Sequence, residues 1–419
     1  MISLQHLLTN PDLYQNELKK RFKDTTLVSQ IVETQTRAKL LQMQLEKLRQ
    51  QKNDFNDIVI KLQGEEKQSK ISDMKLVANQ IKELEESLRP FSEKTRELLY
   101  QIPNISWEGM PIAPDSDGNV ETAVYGPLPE FNFEPKNYYE LPIFERDYLA
   151  KKGVEASGFR GYYIQGELAR FQQILFHWVL NRLIAKGFNY VIPPVFVNED
   201  VMLGTGFFPG GREDSYEIKD DNVPKFLPGT SEAALMFLHA NEVLDLSKPK
   251  RLTAWTRCFR KEAGAYGKDN QGGIRVTQFE KVETVYLCRP DHTAEVFEEM
   301  TGIFRETLNQ LGLYYHDLET STGDNSNKNF RMIDIEAWFP AQNTFREVAS
   351  SSICTDYQTR TLNIKCKNQV GELVLAHSLN CTGITNRTMF AIMEQFQQKD
   401  GRIKVPLALI PMFGKEFLE

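Results

Sequence analysis

Mostly apolar residues recur every three or four positions in the first quarter of the chain. One series keeps a strict four-then-three spacing: Thr34, Ala38, Leu41, Leu45, Leu48, Lys52, Phe55, Val59 and Leu62. That spacing is typical of a coiled-coil seam. A second series comprises Met74, Val77 or Ala78, Ile81, Leu84 and Leu88. The polar stretch 63–69 separates the two, so the pattern predicts an antiparallel helical hairpin at about 30–100, with helices of about 30 residues and about 45 Å each.

The segments around this hairpin set the predicted domain organisation. Residues 1–22 favour a short helical region, and Pro90 is expected to end or kink the second long helix. Prolines then recur among Asp and Gly residues, which is typical of a connecting segment. We therefore predict an N-terminal helical arm at 1–103, a linker at 104–135 and a larger domain at 136–419.

The larger domain lacks the regular alternation of strand and helix that marks a parallel sheet. Its pattern predicts helices at 167–187 and 386–398, and strands at 252–260, 275–288, 332–340, 344–351, 359–365 and 372–378. Most of these strands follow one another directly or through turns. The expected fold class is therefore α+β, an antiparallel sheet flanked by helices.

The segment from Arg260 to Glu283 predicts two antiparallel strands joined by a glycine-rich loop that contains Lys268. Side chains alternate along a strand, so Arg260 extends a face of small and apolar residues, while Phe279, Lys281 and Glu283 share a face on the return strand. An inward guanidinium, an aromatic ring and a cationic loop suit a nucleoside triphosphate. The alternative is an ordinary amphipathic hairpin in which Arg260 and Glu283 form an internal ion pair.

Charge and composition narrow the possible functions. The net charge is −7, but residues 1–103 carry 17 Lys and Arg against 15 Asp and Glu, so nucleic-acid contact is expected there rather than over the whole surface. The helical arm could be a dimerisation coiled coil or a spacer. Its basic residues could instead follow a phosphate backbone, and they are Lys39, Lys47, Arg49, Lys52 and Lys61.

The cellular setting is predicted from what the sequence lacks. No apolar run approaches the roughly 20 residues of a membrane span, and the N-terminal segment has no basic region followed by a cleavage site. The five cysteines are scattered without a CxxC pair. We therefore expect a cytoplasmic protein without structural zinc, a membrane partner or bound DNA.

These pieces together resemble the bacterial-type seryl-tRNA synthetases, which are class II aminoacyl-tRNA synthetases. The resemblance runs from LLTNPDLYQNELKKRF through the helical arm, GTGFFP, PGTSEAAL and FRKEAGAYG to GRIKVPLALIPMFG. Three weak class II motifs occur in order: KGFNYVIPPVFV, the hairpin at 260–283, and the helix that bears Arg387. The ordered set with a coiled-coil arm is much more specific than any one motif.

The resemblance implies roles for individual residues. It implies that serine contacts Thr230, Ser231, Glu232, Arg260, Glu283 and Thr382. It implies that ATP contacts Arg260, Lys261, Glu262, Arg275, Phe279, Glu347, Val348, Ala349, Ser350 and Arg387, with Mg²⁺ held by Glu347 and Ser350. Glu347 and Ser350 are three residues apart and would face opposite sides of a straight strand, so a β-bulge is required if both bind the metal.

The implied function is ATP-dependent activation of L-serine and its transfer to tRNA(Ser) by a homodimer, with the arm gripping the tRNA. Two alternatives stay open at the level of sequence: a paralogue that activates a small amino acid for a non-tRNA acceptor, and a catalytically silent RNA-binding relative. The chain also departs from the usual family pattern at Thr277, at Thr361, at Glu394-Gln395 and in the run 380–387, which is one residue short.

Overall fold

The computed structural model describes residues 1–59, 63–219, 223–262 and 271–419. It divides into two units, one formed by residues 2–19 and 23–102 and the other by residues 1, 20–22 and 103–419. The helices are α1 Leu4–Thr9, α2 Pro11–Lys20, α3 Thr26–Val59, α4 Gly64–Gln101, α5 Pro142–Asp147, α6 Ala150–Ser157, α7 Gly166–Ala185, α8 Glu199–Gly204, α9 Glu232–Phe237, α10 Thr293–Leu311, α11 Tyr357–Leu362, α12 Asn386–Gln395 and α13 Ile410–Phe413.

The strands are mostly short outside the central sheet. They are β1 Val120–Tyr125, β2 Tyr148–Leu149, β3 Tyr163–Ile164, β4 Asn189–Tyr190, β5 Val197–Asn198, β6 Tyr216–Ile218, β7 Lys225–Leu227, β8 Val243–Leu244, β9 Lys250–Phe259, β10 Gln278–Cys288, β11 Tyr315–Glu319, β12 Arg331–Phe339, β13 Thr344–Thr355, β14 Lys365–Lys367, β15 Leu373–Leu375, β16 His377–Thr385, β17 Ile403–Lys404 and β18 Phe417–Leu418.

The N-terminal unit contains the predicted helical hairpin, in which α3 packs along α4. The seam residues from Thr34 to Phe55 are buried or half-buried, and so are Met74, Ile81, Leu84 and Leu88. One expectation needs correction, because the second helix begins at Gly64, within the stretch predicted as an interruption. The same helix continues through Pro90, so of the two expected effects of this proline the helix end does not occur. Leu62 and Lys61 lie outside the described residues.

Within the described residues, eight strands form the central sheet in the order β1-β11-β12-β13-β16-β10-β9-β4. Its neighbours are antiparallel except for the short edge pair of β4 and β9, which confirms the predicted fold class. Among these described residues, no helix is long and apolar enough to cross a membrane.

Two layers of side chains cover the sheet. Val282 and Tyr286 of β10 pack with apolar residues of α7, α10 and α12 in the largest core cluster. Val285 and Leu287 belong to a separate cluster that includes Leu235 of α9. Because alternate residues of a strand face opposite sides, Glu283 shares the face of Val285 and points away from the layer of α7, α10 and α12.

Several predicted boundaries differ from the structure. Residues 359–365 were expected to form a strand, but Tyr357–Leu362 is a helix and only Lys365–Lys367 continues as a strand. The stretch predicted as a linker contains Val120–Tyr125, an edge strand of the central sheet. The prediction at 372–378 covers β15 and only the first residues of β16, whose remaining part was not predicted. The helix predicted at 386–398 is α12, which ends at Gln395.

Candidate active site

The hairpin of β9 and β10 carries one wall of the candidate site. Phe279 lies opposite Cys258, Lys281 opposite Thr256 and Glu283 opposite Ala254. This register confirms the predicted shared face. Arg260 follows directly after β9, and its guanidinium carbon lies 5.4 Å from the centre of the Phe279 ring. The hairpin thus holds a cation and an aromatic ring side by side at the end where its two strands are connected.

Glu283 is ion-paired with Lys281 rather than with Arg260, which corrects the alternative interpretation of the hairpin. Thr230 Oγ1 donates a second hydrogen bond to Glu283 Oε2 at 3.1 Å. Both members of the pair are buried, and burial raises the pKa of Glu283 while the Lys281 ammonium opposes that shift. Lys281 is therefore a buried charge beside Glu283 rather than a solvated one.

A second wall comes from β13, where Glu347 lies opposite Glu336 and Ala349 opposite Ile335. Val348 is the extra residue, so the strand contains the β-bulge that the sequence required. Ser350 lies opposite Asp334, and the bulge brings Glu347 and Ser350 to the same side of the sheet. Partial burial and the neighbouring Glu347 carboxylate raise the pKa of Asp334 well above its usual range.

Arg387 completes the site from the first turn of α12. Its Nη1 lies 2.8 Å from Glu347 Oε2 and donates to the Glu347 backbone carbonyl at 3.0 Å. Asn386 begins the same helix, and its Oδ1 accepts a hydrogen bond from the Glu280 amide at 3.0 Å. This contact ties the start of α12 to β10.

A second bulge positions Thr382 against Glu283. On β16, Ile384 lies opposite Val282 and Thr382 opposite Glu283, which leaves Gly383 as the extra residue. A Cβ atom at Gly383 would approach the Val282 carbonyl oxygen and side chain to 3.1 Å. The close packing at this position favours glycine, and the bulge lies within the run that is one residue shorter than usual.

These elements line one cleft, which the hairpin, β13 and the start of α12 share. Its lining residues are Arg260, Glu262, Gly273, Ile274, Val276, Phe279, Lys281, Glu347, Val348, Ala349, Ser350, Thr382, Thr385, Asn386 and Arg387. Most of the predicted ATP residues thus lie together. Six of the described lining residues were not among the predicted site residues: Gly273, Ile274, Val276, Lys281, Thr385 and Asn386.

Two of the predicted ATP residues are not among the described residues that line the cleft. Lys261 places its ammonium 5.9 Å from the centre of the Tyr216 ring, and its amide donates to the Asp214 carbonyl. Arg275 Nη1 lies 3.4 Å from Glu262 Oε2, and Arg160 approaches the same oxygen at 3.4 Å. Glu262 is therefore held by two guanidinium groups. Lys268 lies outside the described residues.

The remaining predicted serine residues are Ser231 and Glu232, which stand at the start of α9. Ser231 is buried and precedes the first residue of α9, Glu232. Glu232 is also buried, and it is ion-paired with Lys328 and accepts a hydrogen bond from Gln358 Nε2 at 2.7 Å. Sequence reasoning did not identify Lys328 or Gln358, because neither belongs to a periodic pattern shared with the rest of the site.

Four of the five basic residues predicted for nucleic-acid contact lie on α3, and the fifth, Lys61, is outside the described residues. Lys39, Lys47 and Arg49 are exposed and Lys52 is half-buried in the seam. Arg49 Nη2 lies 2.7 Å from Glu85 Oε1 of α4, so this residue bridges the two helices of the hairpin.

Two protein-family models match the chain, one in each part. The model of the tRNA synthetase class II core domain (G, H, P, S and T) matches residues 216–396, and that of the seryl-tRNA synthetase N-terminal domain matches residues 1–106. The antiparallel sheet, its hairpin and the helix of Arg387 define a class II aminoacyl-tRNA synthetase core.

Full-length relatives identify the family within that class. A serine–tRNA ligase of Rhodococcus jostii is 34% identical and covers 100% of both chains. One from Dictyoglomus turgidum is 34% identical over 99% of this chain and 98% of its own. The chain belongs to the seryl-tRNA synthetase family.

Solved structures agree with this assignment. The crystal structure of seryl-tRNA synthetase from Pyrococcus horikoshii complexed with ATP has a TM-score of 0.91 and 30% identity, covering 100% of this chain and 99% of that one. The cytoplasmic serine–tRNA ligase from Naegleria fowleri in complex with AMP has a TM-score of 0.84 and 28% identity, covering 98% and 96%.

Proposed function

We propose that the protein activates L-serine with ATP to form seryl-adenylate and then transfers serine to tRNA(Ser). One observation carries this proposal: the same cleft holds Phe279, Arg260 and Arg387 beside Glu347 and Ser350. Lys281 of the same cleft is ion-paired with Glu283, which also accepts a hydrogen bond from Thr230. An aromatic ring, two guanidinium groups and oxygen ligands suit a metal-bound nucleotide, and the buried polar residues suit a small hydroxylated amino acid.

In the first step, a serine carboxylate oxygen attacks the α-phosphorus of ATP and pyrophosphate leaves. The carboxylate is already nucleophilic, so this step needs no general base. Arg260 binds the α-phosphate and the serine carboxylate, and it offsets the negative charge that develops between them. Phe279 stacks on the adenine ring, and Glu262, fixed by Arg160 and Arg275, contacts the adenine edge.

The residues of β13 fit a magnesium ion. Glu347 and Ser350 present oxygen atoms on one side of the strand, opposite Glu336 and Asp334. Mg²⁺ is commonly bound by one or two carboxylates together with substrate phosphates, and when bound here it would neutralise phosphate charge. Arg387, at the N-terminal end of α12, reaches the terminal phosphates from the other side.

Serine selection falls to Glu283, Thr230 and Thr382. Glu232 and Thr230 receive the amine of the substrate, and Glu283 accepts hydrogen bonds from its amine and hydroxyl. An amino acid without the hydroxyl leaves a buried acceptor without a donor, which costs about 1–3 kcal/mol. In the second step, a hydroxyl of the terminal ribose of tRNA attacks the carbonyl carbon of the adenylate and AMP leaves.

The proposal includes a homodimer in the cytoplasm, with Lys39, Lys47, Arg49, Lys52 and Lys61 of the arm contacting tRNA. Apolar side chains stand exposed in the KGFNYVIPPVFV segment beside the edge strand β4: Ile192 is 81% exposed and Phe196 is 50% exposed. Contiguous exposed apolar residues mark interaction surfaces, which supports the expected subunit interface. The five cysteines are buried free thiols, in keeping with a reducing compartment.

ATP–pyrophosphate exchange with each of the twenty amino acids, followed by charging of tRNA(Ser), tests the function. The expected result is exchange with serine and formation of seryl-tRNA. Exchange without charging would favour the paralogue that acts on another acceptor. The absence of exchange with any amino acid would favour the silent RNA-binding relative, and either outcome would overturn the proposal.

A further inference from the structure

A buried lysine contacts Glu232, one of the residues proposed to bind serine. Lys328 belongs to the segment before β12, and its ammonium is ion-paired with Oε1 of Glu232. The side chains of Lys328 and Glu232 are 9% and 6% exposed. The Lys328 ammonium also lies 4.4 Å from the centre of the Phe207 ring. The cation is thus enclosed by a carboxylate on one side and an aromatic ring on another.

The partner carboxylate is held in place by further contacts. Gln358 Nε2 donates to the same oxygen of Glu232 at 2.7 Å, and Ser378 Oγ donates to Gln358 Oε1 at 2.8 Å. The Glu232 amide donates to Thr230 Oγ1 at 3.2 Å, and that hydroxyl donates to Glu283 at 3.1 Å. A continuous set of hydrogen bonds therefore connects Lys328 and Glu232 to Glu283.

The buried charges around Glu232 and Glu283 already balance. Two carboxylates, Glu232 and Glu283, are each matched by a buried ammonium, from Lys328 and Lys281. Serine brings a carboxylate, which Arg260 can receive, and an α-ammonium, which requires an anionic acceptor. A second ammonium at Glu232 would lie beside that of Lys328, and like charges a few ångströms apart in a buried site repel strongly.

We infer that Lys328 is a specificity-determining residue that competes with the α-ammonium of the amino acid for Glu232. The inference rests on the proposed function, because it assigns Glu232 to the amino-acid pocket. A hydroxy acid, which has no α-ammonium, does not compete with Lys328 for Glu232. Lys328 therefore reduces the preference of the pocket for serine over the equivalent hydroxy acid. A pocket without Lys328 would have a stronger preference for serine.

The test compares L-serine with L-glycerate, in which a hydroxyl replaces the α-amine. KM for serine is measured by ATP–pyrophosphate exchange, and glycerate is measured as a competitive inhibitor of the same reaction. In the Lys328→Met variant, KM for serine should fall by about tenfold, the effect of removing one nearby like charge. The inhibition constant for glycerate should change by less than about threefold, because glycerate carries no ammonium to repel.

Two further variants control the experiment. Lys328→Gln keeps a hydrogen-bond donor for Glu232 without the charge, and it should show the same gain if Lys328→Met does not fold. Arg331→Met removes a neighbouring ion pair, in which Arg331 Nη2 lies 2.8 Å from Glu319 Oε2. This variant should leave KM for serine and the inhibition constant for glycerate unchanged. The inference is overturned if KM for serine rises in the Lys328 variants. It is also overturned if the ratio of KM for serine to the inhibition constant for glycerate is the same as in the wild type. Either result would show that Lys328 only supports Glu232.

The two proposals fail in different ways. If the wild-type enzyme catalyses no exchange with serine, the proposed function is wrong and the inference falls with it. If the wild-type enzyme is active with serine but the Lys328 variants show no gain, only the inference is wrong.

Discussion

Arg387 and Glu347 are bound to each other: the guanidinium Nη1 lies 2.8 Å from the carboxylate Oε2. One of them is the proposed contact for the terminal phosphates and the other the proposed metal ligand. Their side chains are 24% and 46% exposed, so the pair opens into the cleft. In the proposed function, the phosphates of ATP would give Arg387 a new partner and would leave the Glu347 carboxylate available as a ligand. The pair therefore keeps both charges balanced before the nucleotide arrives.

The first prediction concerns Arg387→Ala. Charge-assisted hydrogen bonds contribute about 1.5–3 kcal/mol, so KM for ATP should rise by about 10- to 100-fold in the exchange reaction. KM for serine should change far less. Arg402→Ala removes a guanidinium that is 42% exposed and paired with Asp400, and it should leave both constants unchanged. An Arg387→Ala enzyme with the wild-type KM for ATP would exclude the proposed phosphate contact.

The second prediction compares two arginines on the same hairpin. Arg260→Lys keeps the charge but loses the planar fork that can bind two oxygens at once, and kcat/KM for both ATP and serine should fall by about 100-fold or more. Arg257→Lys is the matched control, because this side chain is 64% exposed and lies 3.6 Å from Glu280. Equal effects of the two substitutions on exchange kinetics would contradict the role given to Arg260.

The helical arm and the hairpin of β9 and β10 could be predicted from the sequence because each follows a local rule. A seam with heptad spacing fixes which side of a helix is buried. A period of two fixes which face of a strand carries Arg260, Phe279 and Glu283. The bulge at Val348 was also predictable, once Glu347 and Ser350 were assigned to the same metal.

Other elements depend on partners that are distant in the sequence. The strand His377–Thr385 contains small and polar residues, yet it is almost entirely buried because β10 and β13 pair with its two edges. Thr359 and Thr361 favour a strand by their β-branched side chains, but burial of Tyr357, Gln358 and Leu362 accompanies a helix there. Lys328 gave no local signal, because only the folded chain brings it to Glu232.

The third prediction separates the arm from the catalytic cleft. Replacing Lys39, Lys47 and Lys52 with Ala should lower kcat/KM for tRNA charging by about tenfold and weaken its salt dependence. ATP–pyrophosphate exchange should stay within about twofold of wild type, because none of these residues is part of the cleft. Lys82→Ala on α4 is a control, since its side chain is 77% exposed. If exchange falls along with charging, the substitutions act on folding rather than on tRNA contact.

The fourth prediction concerns Glu394, which is fully buried on α12. Its Oε1 accepts hydrogen bonds from the Tyr138 amide and Gln342 Nε2, each at 3.1 Å, and its Oε2 accepts one from the Ala341 amide at 3.2 Å. Burial is the largest effect and raises the pKa of Glu394 to about 7, although these hydrogen bonds oppose the shift. The folded protein therefore holds this proton at pH values where the unfolded chain has released it.

Stability from this group should be complete below the unfolded pKa of Glu, about 4.3, and should be lost as pH rises through about 7. Glu394→Gln removes the titrating group, so the wild type should lose free energy of unfolding relative to the variant between pH 5 and pH 8, by about 3 kcal/mol at most. Urea unfolding of both proteins at a series of pH values measures the difference. A constant difference across this range would mean that Glu394 does not titrate there in the folded protein.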